Sequence, residues 1–102
     1  MFDIGTATLE TFTPHVGTVF SLEHPEQHEN FTLVDAKPLT SYDHPNKKRD
    51  PFSLFFKGGR TDLQFNQQIL PLQHPALGLV EIFIVPIARN DDGTFRYQAL
   101  FN

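Results

Sequence analysis

The sequence contains no cysteine, little positive charge and no long apolar run. Without cysteine there are neither disulfides nor thiolate metal ligands, and nothing ties the fold to an oxidising compartment. The amino terminus, Met1-Phe2-Asp3-Ile4-Gly5, lacks the basic stretch and long apolar run of a secretory leader, so cytoplasmic residence is expected. The longest apolar run, Ile82 to Ile87, is far short of the roughly 20 residues that cross a bilayer, which argues against membrane insertion. Eight basic against twelve acidic side chains give a formal net charge of −4, which repels a phosphate backbone at long range and argues against general nucleic-acid binding. The one basic cluster, Lys47-Lys48-Arg49, lies between His44-Pro45-Asn46 and Asp50 and reads as a solvated loop tip.

What the sequence does hold is aromatic carbon. Eleven Phe and two Tyr among 102 residues supply a core made of rings, each burying on the order of 150–250 Å² when packed. The length fits one core, so a single β domain over residues 1–102 is expected.

The segment Thr6 to Phe12 has Leu9 and Phe12 at helical spacing, Thr8 as N-cap and Pro14 as terminator, which predicts one short helix. Beyond it the period changes from helix to strand. Thr18 to Glu23 alternates with Phe20 and Leu22 on one face, and Phe31 to Lys37 alternates with Phe31 and Leu33 on one face and Thr32 and Val34 on the other. Thr40 to Asp50 is rich in turn formers and predicts the longest loop. Pro51 to Lys57 gives a third strand with Phe52, Leu54 and Phe56 inward, closed by a hairpin end at Gly58-Gly59. Gln68 to His74 gives a fourth, confined by Pro71 to an edge or a bulge. Gly78 to Ile87 is apolar on both faces and belongs in the middle of the structure. Asn90-Asp91-Asp92-Gly93 is a turn between antiparallel neighbours, and Thr94 to Phe101 places Phe95, Tyr97, Ala99 and Phe101 on one face. The expected fold is all-β: a small antiparallel barrel or sandwich of about six strands with one short N-terminal helix, the barrel preferred because closure removes edges.

Chemistry is sparse. Pro25 opposes the helix that would bring His24 and His28 together as zinc ligands, and the spacing matches no zinc-peptidase motif. His24, His44 and His74 each precede a proline, which suits corners, and His15 beside Pro14 and Gly17 is the histidine most suited to burial. An EF-hand register with Gly93 at its sixth position puts Ala88 and Ala99 where oxygen ligands are required, so no calcium loop forms. Gly58-Gly59-Arg60 lacks the residues of a phosphate loop, and Ser21, Ser41 and Ser53 lack a nucleophile-elbow context. Glu23, Glu26 and Glu29 read as solvated turn residues. Neither a catalytic residue nor a cofactor is indicated. Phe55, Val80 and Phe83, if outward, form an apolar patch that buries against another subunit or protein; the competing expectation is a second core layer under the helix.

The succession Phe12-Thr13-Pro14-His15-Val16-Gly17, Phe20-Ser21-Leu22, Pro51-Phe52-Ser53-Leu54-Phe55-Phe56, Leu72-Gln73-His74-Pro75-Ala76-Leu77-Gly78, Phe83-Ile84-Val85-Pro86-Ile87 and Tyr97-Gln98-Ala99-Leu100-Phe101-Asn102 resembles a family of bacterial proteins of unknown function and about this length. The resemblance implies a compact fold, a bacterial origin and association with phage-tail-like or surface proteins, and it implies no activity.

Two functions are therefore expected in order. The first is a non-enzymatic interaction module that binds a protein partner or a second copy of itself. The second is a small-ligand or metal-binding barrel using His15, His24, His28 or His74.

Overall fold

The computed structural model describes residues 5–23, 27–38 and 51–101. A four-residue helix α1 (Leu9–Phe12) runs into a 3-10 turn (Thr13–His15), and six strands follow: β1 (Val19–Glu23), β2 (His28–Pro38), β3 (Phe52–Gly58), β4 (Gln68–His74), β5 (Gly78–Arg89) and β6 (Phe95–Phe101). They close into a barrel in the order β1-β2-β3-β6-β5-β4, and every neighbouring pair is antiparallel. Of the two expected architectures, the barrel is the one formed.

Period-two alternation explains the core. Phe20, Leu22, Phe31, Leu33, Phe52, Leu54, Phe56, Leu70, Leu72, Val80, Ile82, Ile84, Tyr97, Ala99 and Phe101 point inward and are buried. Some of the rings meet edge to face, as Phe20–Phe56 (5.5 Å, 84°) and Phe31–Tyr97 (5.2 Å, 71°) show.

The two longest strands, β2 and β5, each serve two neighbours. Residues 28–32 of β2 pair with β1 and residues 31–38 with β3; residues 78–84 of β5 pair with β4 and residues 85–89 with β6. Each bends at a bulge, at Val34 in β2 and at Ile87 in β5. The barrel thus consists of two three-stranded meanders joined by two unequal seams. β3 and β6 share six paired positions, whereas β1 and β4 share one, Ser21 with Gln73. The sequence predicts an edge or a bulge at Pro71; the closed barrel has no edge there, and Pro71 pairs in regular register with Glu81, on a strand whose other side is the weaker seam.

Both barrel ends are plugged. At the helix end Phe12, fully buried, packs on Phe52 (5.9 Å) and Phe101 (5.7 Å), which stack on each other. Gly17, with φ of +93°, then turns the chain into β1 and donates its N–H to Leu33 O, a conformation that side-chain-bearing residues rarely adopt. At the other end the connection from β3 to β4 crosses between non-adjacent strands and inserts Phe65 against Phe31 (5.7 Å). Gly58-Gly59 therefore begins a crossover, not the hairpin end expected from sequence.

The helix covers the barrel end and not the outer face of a strand. β5, apolar on both faces, accordingly buries Val80, Ile82 and Ile84 inside and leaves Phe83 and Ile87 exposed. No second layer covers this face of β5 among the described residues. Among the described residues no helix is long and apolar enough to cross a membrane.

Candidate interaction surface

The outer side chains of β4, β5 and β6 follow from the same alternation that fills the core. With Leu70 and Leu72 inward, Ile69 points out; with Ile82 and Ile84 inward, Phe83 points out; with Ala99 and Phe101 inward, Leu100 points out. Ile69 is 62% exposed, Leu100 50% and Phe83 46%, and Ile69 and Phe83 are direct cross-strand partners. Half-buried Val85 continues the strip and pairs with Gln98, two residues before Leu100 on the same face of β6.

Of the three aromatic and aliphatic positions expected to form a patch, Phe83 alone is openly exposed. Val80 is a correction: it is fully buried inside the barrel, because it lies an odd number of residues from Phe83 on an alternating strand. Phe55 points outward but is half-buried, with the Arg96 guanidinium 4.8 Å above its ring. Next to it Gln98 donates a hydrogen bond to the Ser53 hydroxyl (3.0 Å). Ile69 and Leu100, which were not singled out, complete the surface. Their signal was present in the same alternation, read on the opposite face.

The histidines divide between the ends. His15 and His74 meet edge to face at 4.7 Å at the helix end, while His28 begins β2 at the crossover end; His24 lies outside the described residues. His74 is buried against Phe20 (4.5 Å) and both its ring nitrogens are engaged. Its Nδ1 accepts from the N–H groups of Ala76 (3.0 Å) and Leu77 (3.3 Å), capping the β4–β5 turn. That assignment leaves the proton on Nε2, which donates to the Thr18 hydroxyl (2.9 Å), and Thr18 in turn donates to His15 O. Burial, and secondarily the neighbouring His15, hold the His74 pKa below its usual value. His74 thus works as a neutral turn cap, and no three His, Asp or Glu side chains group as a metal site among the described residues.

The crossover end has an open depression of about 300 Å³ lined by His28, Glu29, Asn30, Gly59 and Arg60. Glu29 corrects the expectation of a solvated turn carboxylate, being 2% exposed. Oε1 accepts from the N–H groups of Asn30 and Gly59 (both 2.8 Å), and Oε2 accepts from Arg60 N–H (3.1 Å). A Cβ on Gly58 or Gly59 would stand 3.1 Å from this carboxylate, so the paired glycines make room for it. Extending the alternation of Phe31 and Leu33 back by two residues would have placed Glu29 inward. Arg60 makes a bidentate pair with Asp62 (2.8 and 2.7 Å), which raises the guanidinium pKa and lowers that of the carboxyl. Deeper in, the Tyr97 hydroxyl accepts from Phe65 N–H (3.0 Å). Burial raises the Tyr97 pKa; the Phe65 bond opposes that shift and the Glu29 charge adds to it. Carboxylate, guanidinium and phenol are thus each engaged in holding the crossover.

The fold and its surface define a closed antiparallel barrel, plugged at both ends, with an apolar outer strip. The chain belongs to the family described as Domain of unknown function (DUF6916), whose model matches residues 7–101. No curated protein and no solved structure matches it.

Proposed function

We propose that this protein is a non-enzymatic interaction module that docks through the outer face of β4, β5 and β6. The observation that carries this reading is the exposure of Ile69, Phe83 and Leu100 on one side of a barrel whose core rings are packed inside. Large apolar side chains grouped on a strand face lose contact with water when a partner covers them, and since these are already about half buried each can contribute roughly half of the ~1.5–3 kcal/mol of full burial. The docked body is a protein, in keeping with the phage-tail-like or surface assemblies that the sequence resemblance implies.

Phe83→Glu tests this, since Phe83 lies outside the core and the variant is expected to fold. The immobilised wild-type protein should retain a protein from a bacterial lysate, or bind its own soluble form, and Phe83→Glu should lose that retention in mass-spectrometric comparison. Identical retention by both proteins would remove the proposal.

A further inference from the structure

We infer that His74 is a proton-operated latch on the β1–β4 seam: its neutral ring ties the two strands together, and its protonation parts them. The seam has one paired backbone position, Ser21 with Gln73, and His74 is the next residue along β4. From there the imidazole reaches both ways. Across the seam its Nε2 bonds to the hydroxyl of Thr18, the residue that leads into β1, at 2.9 Å, and its ring packs on Phe20 of β1 at 4.5 Å. The Ser21 hydroxyl adds only a longer bond to Gln73 O (3.4 Å). Along its own chain, Nδ1 accepts from the N–H groups of Ala76 and Leu77. With Nε2 already bearing a hydrogen, an added proton must enter at Nδ1, the atom that both N–H groups point at. The two bonds are then lost together and a cation faces two donors. Among the described residues no neighbour offsets that charge. The 3-10 turn presents His15 (4.7 Å), a second imidazole whose own protonation adds repulsion; β1 presents Thr18 and Phe20; β5 presents Gly78, which has no side chain; and no carboxylate bonds to the ring. Relief comes from swinging the ring into water, which undoes the Thr18 link and leaves the seam on its single paired position. The closed barrel holds the His74 pKa below its usual value and the opened ring regains about 6.5, so proton uptake favours opening, increasingly as pH falls below that value. Acid thereby gives an edgeless barrel two free edges, β1 and β4.

The test is amide hydrogen exchange of the full chain at about pH 7 and about pH 5, on either side of the histidine range, with the chemical exchange rate divided out and low urea added to separate local from global opening. The Ala76 and Leu77 amides, and those of β1 and β4 that lie in the seam, should exchange severalfold faster at the lower pH through an opening indifferent to low urea. The β3–β6 ladder should exchange more slowly at both, and in step with urea. His74→Asn keeps an acceptor for the turn but cannot take the proton, so it should abolish the acid acceleration. Should that variant unfold, Thr18→Val, which cuts the link across the seam, should speed seam exchange already at the higher pH and shrink the further effect of acid. The latch is overturned by the absence of acid acceleration, by acceleration that survives in His74→Asn, by indifference of the seam to Thr18→Val, or by seam amides whose exchange follows urea as steeply as the β3–β6 ladder.

Discussion

The helix end and the crossover end of the barrel are closed by different chemistry. At the helix end an apolar side chain, Phe12, is set on the rims of β3 and β6, and the polar component is a neutral histidine capping a nearby turn. At the crossover end a buried carboxylate accepts from Asn30 of β2 and from Gly59 and Arg60 of the connecting segment, and a phenol accepts from Phe65, so that hydrogen bonds hold the segment alongside the buried Phe65 ring. The difference follows from how each plug arises. The helix precedes the barrel and needs only to cover the end, whereas the β3–β4 connection must pass between non-adjacent strands and carries its backbone donors into cover, where they require acceptors.

The comparison breaks first at Phe12. Phe12→Ala removes a fully buried ring and should destabilise the protein by about 4 kcal/mol in urea unfolding; a loss near zero would show that the helix end needs no plug. Glu29→Gln should cost about 2–3 kcal/mol, because an amide replaces one charged acceptor with a donor facing backbone donors. A neutral outcome at Glu29 would mean that the crossover is held by Phe65 alone. The smallest effect, and the one that most sharpens the contrast, is the pH dependence of the helix end. Because the folded-state pKa of His74 lies below its unfolded value, the unfolded chain takes up the proton first, and stability falls as pH drops below about 6.5. Above that pH the contribution is complete. His74→Asn keeps an oxygen acceptor for the turn and should flatten the melting-temperature profile between about pH 5 and 7; an unchanged profile would assign the dependence to another group.

Much of the fold was legible because alternation fixes which face of a strand is buried. Phe31 with Leu33, Phe52 with Leu54 and Phe56, and Tyr97 with Ala99 all follow it. The errors came where a local pattern met a non-local partner. Gly58-Gly59 reads as a hairpin until Glu29, about 30 residues away, shows why Cβ atoms are excluded there. β5 reads as buried on both faces because its outer side chains are apolar, yet only the topology decides whether anything covers them. Val80 was grouped with Phe83 by hydropathy although their parity separates them. The surface proposed for docking was half visible, through Phe83, and Ile69 and Leu100 join it only when strand order is known.

The unequal seams should also order the barrel in time. Each meander is assembled from neighbours in the chain, so its pairings are expected to form early and at low entropic cost, while the β3–β6 ladder joins the two halves by contacts distant in sequence. The single Ser21–Gln73 position should then close last and reopen most often. Amide hydrogens of β1 and β4 that face each other would exchange with solvent before those of the β3–β6 ladder, making this seam the line along which the native barrel breathes.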